Sequence, residues 1–125
     1  MQYAYVRLQS ILRKAKEAGV IEEIGQPITI PKHTLLSEAS ERNLIRIMHQ
    51  LPEVVVDMAA SFDAHDLTYY AQELAKAVHH FYRDVPVLAS QDKNLVLSRL
   101  QLVTAAGKVL GATLDLLGIS KPDVM

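Results

Sequence analysis

Tyr3, Arg7, Ser10 and Lys14 follow one another at spacings of four, three and four. That interval lines side chains along one face of an α-helix. Gln72, Lys76, His79, Tyr82 and Arg83 make a second stripe of the same character later in the chain. Both stripes mix cations with a tyrosine ring. Cations neutralise phosphate and a tyrosine ring stacks on an unpaired base, so the chemistry suits single-stranded RNA. Each stripe also fits a plainer reading. The first could place Tyr3 in a core, with Arg7 in a structural ion pair. The second could be a solvated helix face with Tyr82 half buried.

Other chemistries are poorly served. His79 and His80 are adjacent, and adjacent helical residues point about 100° apart, so they do not chelate one ion together. No HExxH motif accompanies them. His33, His49 and His65 are isolated. With no cysteine there is no thiolate metal site, disulfide framework or cysteine nucleophile. The carboxylates show no pair poised for acid–base work. Gly107 and Gly111 lie inside a helical segment without the Lys-Ser/Thr of a phosphate loop. The chain reads as carrying no catalytic machinery of its own.

The elements that must position the two stripes are marked by glycine and proline, at five each in 125 residues. Apolar residues at helical spacing predict a first helix over about 2–18, with Gly19 as its stop. Gly25, Pro27 and Pro31 break the chain over 20–36 into a loop. Ser37 is placed to cap a second helix over about 38–50, and Pro52 opens a third over about 52–62. Asp63 is placed to cap a fourth over 64–84, ended by Pro86. A fifth runs over about 92–117 and stops at Gly118, with Pro122 preventing a restart. The expected fold is an all-α bundle of about five helices in one domain. Its core should hold Ala4, Leu8, Ile11, Leu12, Ala15 and Ala18, then Leu44, Ile45, Ile47 and Met48. To these the fourth helix adds Leu67, Tyr70, Ala71, Leu74, Val78 and Phe81, and the fifth adds Val96, Leu100, Val103, Leu110, Leu114 and Leu117. Arg99 reads as an ion-pair partner within the bundle. Ala105, Ala106, Gly107, Gly111 and Ala112 make a small-residue side where another helix crosses closely.

Half of the chain is hydrophobic and 22% is charged, a globular composition. The net charge of −1 does not announce a nucleic-acid binder. The distribution is more informative. Residues 1–16 hold Arg7, Arg13, Lys14 and Lys16 with no acid, whereas residues 17–66 hold nine acids against Lys32, Arg42 and Arg46. The two ends could therefore share an electropositive face. No apolar run approaches the ~20 residues that span a bilayer, and no signal peptide opens the chain. The lack of cysteine fits a cytoplasmic setting.

Three blocks also form a pattern. They are Gln2 to Leu8 with Ser10 to Ala15, Leu74-Ala75 through Phe81-Tyr82 to Val87-Leu88, and Arg99-Leu100 onward through Leu116-Leu117-Gly118-Ile119-Ser120, Pro122 and Met125. Together they resemble the C-terminal, DALR-type anticodon-binding domain of arginyl-tRNA synthetases. The resemblance covers residues 2–15 and about 63–125. It implies a helical bundle that holds the anticodon loop of arginine tRNA and reads the cytosine at the second anticodon position. It also implies a separate catalytic domain of the same enzyme, served by ATP and magnesium, against which this domain packs. None of that domain's motifs is here, so an excised domain is expected, ending at a native C-terminus and needing no cofactor or membrane.

By the same resemblance Tyr3 and Arg7 lie beside the anticodon loop, Tyr82 offers its ring to an extruded base, and Met125 folds back towards the pocket. With the two stripes, the candidate RNA-binding residues are Tyr3, Arg7, Lys14, Lys76, His79, Tyr82, Arg83 and Met125. Two departures stand out. Tyr5 occupies a position that is often histidine, and the Arg83-Asp84-Val85-Pro86 exit is unusual. Asp84 is expected to point away from RNA or to pair with Arg83. The alternatives are an anticodon-binding-like domain of another class I synthetase and a helical protein–protein interaction module.

Overall fold

Among the described residues five helices follow in order: α1 (Gln2–Glu17), α2 (Ala39–Met48), α3 (Leu51–Ser61), α4 (His65–Asp84) and α5 (Lys93–Leu116). The computed structural model describes residues 1–24, 28, 36, 38–61 and 63–121, and no strand occurs among them. The expected all-α bundle of about five helices is what forms.

The helix ends follow from local chemistry. Gly19 takes φ +76° and Gly118 φ +72°, a region that costs an L side chain steric strain. The turn at Gly19 lets Gly19 N–H donate to Lys16 C=O at 3.0 Å and Val20 N–H donate to Ala15 C=O at 2.9 Å. Gly118 repeats the pattern, with Gly118 N–H on Asp115 C=O at 3.1 Å and Ile119 N–H on Leu114 C=O at 2.8 Å. Both turns satisfy carbonyls that a helix end leaves open. Asp92 opens α5 by accepting from the Asn94 and Leu95 N–H groups. Pro52 sits in the first turn of α3, where its missing N–H is not needed.

Asp63 is not the cap of α4. Ala64 holds that position, and Asp63 Oδ1 accepts from His65 N–H at 2.9 Å from one residue earlier. The chemistry is as expected, shifted by one residue. Ser37 lies outside the described residues, as do Gly25, Pro27, Pro31 and Pro122.

α4 runs through the centre and touches the other four helices. Leu67, Ala71, Leu74, Val78 and Phe81 are fully buried on it. Tyr70 is buried too, and its hydroxyl donates to Ile47 C=O at 2.7 Å, so the hydroxyl is satisfied and α2 is tied to α4. Burial pushes that phenol up to about 12.

α1 lies along α5 over the small-residue stripe. A Cβ built on Gly107 would come within 3.4 Å of Gln9 Nε2, and one on Gly111 within 3.4 Å of Tyr5 Cε2. Arg99 pairs with Glu41 across the α2–α5 contact at 3.0 Å, with both side chains buried.

Three expectations need correcting. Ala18, placed in the core stripe, is the exposed cap of α1. Leu117 is only half-buried, because it caps α5 where the chain turns away from the core. And α5 is the one described helix long and apolar enough to cross a membrane, with an 18-residue window of mean hydropathy 1.3. Over half of that window, 56%, is buried inside the bundle, so α5 acts as a core helix.

Candidate nucleic-acid interface

Burial of Ala4, Leu8 and Ile11 fixes the rotation of α1, and burial of Val78 and Phe81 fixes that of α4. Their flanking residues then meet at the seam between the two helices. Arg7 from α1 is the centre of the contact. Its Cζ lies 4.5 Å from the centroid of the Tyr3 ring and 4.6 Å from that of the Tyr82 ring. Arg7 Nη2 donates to the Tyr3 hydroxyl at 3.3 Å, and Arg7 Nη1 donates to His79 Nδ1 at 3.2 Å. The Tyr3 and His79 rings stand 5.8 Å apart, tilted by 36°.

Both open alternatives for the first stripe fail. Tyr3 is 52% exposed, so it is not core. Arg7 has no carboxylate within ion-pair distance among the described residues. Among the described residues its charge is met by two aromatic faces and two acceptors, the Tyr3 hydroxyl and His79 Nδ1. Each cation–π contact at such an exposed site contributes about 0.5–1 kcal/mol. Tyr82 stands at the border of exposure, with 36% of its surface free. Burial holds His79 below the ordinary histidine range, with the charge of Arg7 next in effect and the N-terminal amine and His80 adding to it. The contact from a donor-only guanidinium calls for an unprotonated Nδ1, and the lowered pKa points the same way.

The cluster forms a ridge between two recesses. One, of about 410 Å³, is lined by Met1, Gln72, Ala75, Lys76, His79 and His80. The other, of about 350 Å³, is lined by Ile11, Lys14, Tyr82 and the segment from Val85 to Ala89. Lys76 and Lys14 therefore flank the ridge on opposite sides. Met1, His80 and Leu88 line these recesses and were not among the candidates drawn from sequence. Leu88 did carry a signal, as an apolar residue set just past the Pro86 exit.

Arg83 stands apart. Its Nε donates to Asp84 Oδ1 at 2.8 Å, and the Ser40 hydroxyl donates to Asp84 Oδ2 at 2.7 Å. The Arg83 and Ser40 hydrogen bonds hold the Asp84 carboxyl down at about 2. Asp84 thus pairs with Arg83, one of the two outcomes expected for it. Tyr5 faces the α1–α5 seam beside Gly111, away from Arg7. Met125 lies outside the described residues. Among the described residues no three metal-ligating side chains come together.

The family model of the DALR anticodon binding domain matches residues 1–125. The chain is also similar over its full length to arginine–tRNA ligases. It is 39% identical over 125 residues to that of Oleidesulfovibrio alaskensis, covering 22% of the relative. It is 42% identical to that of Dehalococcoides mccartyi and 42% identical to that of Methanosarcina mazei, covering 21% of each. The chain spans about a fifth of the length of the curated relatives it matches. With a family match from the first residue to the last and an all-helical bundle beneath it, the chain belongs to the DALR anticodon binding domain family.

Proposed function

We propose that this domain holds the anticodon loop of arginine tRNA, as the C-terminal domain of an arginine–tRNA ligase. The observation that carries the reading is Arg7, a cation without an acid partner among the described residues, set between two partly exposed tyrosine rings. A guanidinium has five N–H donors, and the contacts to Tyr3 and His79 leave others free. Cytosine offers acceptors at N3 and O2, whereas uracil carries a donor at N3. A fixed guanidinium edge therefore suits a cytosine and disfavours a uracil. Tyr3 and Tyr82 supply ring faces for unstacked bases. Lys14 and Lys76, in the two recesses, supply charge for the phosphates on either side. Arg83, already paired with Asp84, contributes least.

In the proposed parent enzyme, arginine, ATP and magnesium belong to a catalytic domain that packs against this one, and the whole works in the cytoplasm. The test is fluorescence anisotropy of a labelled anticodon stem–loop of arginine tRNA, at low and moderate salt. A second loop carries uracil in place of the cytosine at the second anticodon position. Tighter binding of the unaltered loop is expected at both salts. Equal binding of the two would leave only phosphate attraction and refute the base-reading role.

A further inference from the structure

Four contacts hold Arg7, and only one of them changes character between mildly acidic and neutral pH. The two tyrosine rings and the Tyr3 hydroxyl stay as they are. His79 does not. A guanidinium carries donors alone, so the 3.2 Å contact from Arg7 Nη1 requires His79 Nδ1 to be the unprotonated acceptor, with the ring proton on Nε2. A proton on Nδ1 would replace that acceptor with a donor and place two cations in contact.

We propose that His79 is a positioning residue: its neutral imidazole fixes the Arg7 guanidinium between Tyr3 and Tyr82, and its protonation releases that group and with it the discrimination between bases. The inference rests on the anticodon-loop reading above. From α1 and the residue that precedes it, His79 faces Arg7, Tyr3 and the Met1 amine. From α4 it has His80 beside it and Lys76 in the same recess. None of these is a carboxylate, so nothing among them favours an imidazolium, in keeping with a pKa below the usual value. The sign follows. The lowered pKa favours the neutral imidazole at neutral pH, so discrimination is greatest there. It is lost as pH falls through that lowered value, beneath the ordinary histidine pKa of about 6.5. Protonation also adds a positive charge that attracts any RNA. The ratio of affinities for the two loops, rather than either affinity, is therefore the quantity to follow.

The experiment measures that ratio for the 125-residue chain from about pH 8 to about pH 5 at fixed salt. It uses the wild type, His79→Asn and His79→Phe, with a thermal melt recorded at each pH. Asn keeps an acceptor near the place of Nδ1 and does not titrate. Phe keeps a ring beside Tyr3 but has no acceptor. The wild-type ratio should fall about tenfold with acidification, the change expected for one charge-assisted hydrogen bond. His79→Asn should hold the neutral-pH ratio throughout, and His79→Phe should be low at every pH. A wild-type ratio that stays flat while the chain stays folded overturns the role of His79. So does full discrimination by His79→Phe, or an acid-sensitive ratio in His79→Asn. Should a variant fail to fold, the wild-type profile decides alone. A wild-type ratio of one at neutral pH overturns the anticodon-loop reading itself, which separates the two failures.

Discussion

Phe81 and Tyr82 are neighbours in sequence on different sides of α4, and replacing each in turn separates the fold from the site. Phe81 is fully buried, so Phe81→Ala leaves a ring-sized cavity and costs about 3–5 kcal/mol. Tyr82 keeps 36% of its surface exposed and its ring faces Arg7. Tyr82→Ala loses one cation–π contact and part of a buried ring, together about 2 kcal/mol of stability. For RNA the order reverses. Loss of a stacking ring costs ~1–3 kcal/mol per base, a rise in Kd of about fivefold to over a hundredfold. Thermal melting by circular dichroism measures the first quantity, and anisotropy with the anticodon stem–loop measures the second. The melting point should fall by about 2–8 °C per kcal/mol for a chain of this size, so the two variants are easily told apart. Tyr82→Phe retains the ring and should bind nearly as the wild type does. The reasoning is refuted if Tyr82→Ala destabilises as much as Phe81→Ala, which would make Tyr82 core. It is refuted equally if Tyr82→Ala binds the loop with unchanged Kd.

Two further tests address the bundle and its charge. Arg99→Met leaves the buried Glu41 carboxylate without its partner and should cost about 3–5 kcal/mol in a urea melt, whereas adding Glu41→Leu should restore most of that; an equal loss in the double variant would show that the pair stabilises through more than mutual compensation. Lys14→Ala and Lys76→Ala should each reduce the slope of log K against log salt by about 0.7–1, and Arg83→Ala by much less because Asp84 already takes its charge. A full-sized effect at Arg83 would show that its pair with Asp84 opens in the complex.

Helix ends are legible in this sequence because they depend on residues a few positions apart. The turns at Gly19 and Gly118 close their helices, the glycine N–H bonding three residues back and the N–H of the next residue five back, and those patterns lie in plain view along the chain. Faces are legible where apolar and polar residues alternate with helical period, as on α1 and α4. They are not legible where the run is uniformly apolar. Val54-Val55-Val56 is an unbroken apolar run, yet α3 buries no residue fully and Val56 is 65% exposed. A stretch without a polar side gives no indication of which side is covered. The site divides in the same way. Spacing alone puts Tyr3 with Arg7 and His79 with Tyr82. The meeting of the two pairs depends on how far apart α1 and α4 pack and on the rotamers at their seam, which no period encodes. The bond from Arg7 to His79 is therefore a product of the tertiary structure.

The charge balance at the site is set by pairing rather than by the total. Glu41 is bound to Arg99, Asp84 to Arg83, Glu23 to Lys16 and Asp115 to Lys121. Each pair takes one acid and one base out of the field that a ligand meets at close range. Arg7, Lys14 and Lys76 have no such partner among the described residues, and all three lie on the α1–α4 flank or in its recesses. Exposed charges more than ~8 Å away are largely screened at physiological ionic strength, so a phosphate beside these cations responds chiefly to the charges near it. The nine acids of residues 17–66 account for the net charge of −1, and among the described residues none of them forms an ion pair with Arg7, Lys14 or Lys76. A chain with a slightly negative total can thus keep a local group of cations outside its ion pairs, and total charge alone does not report it.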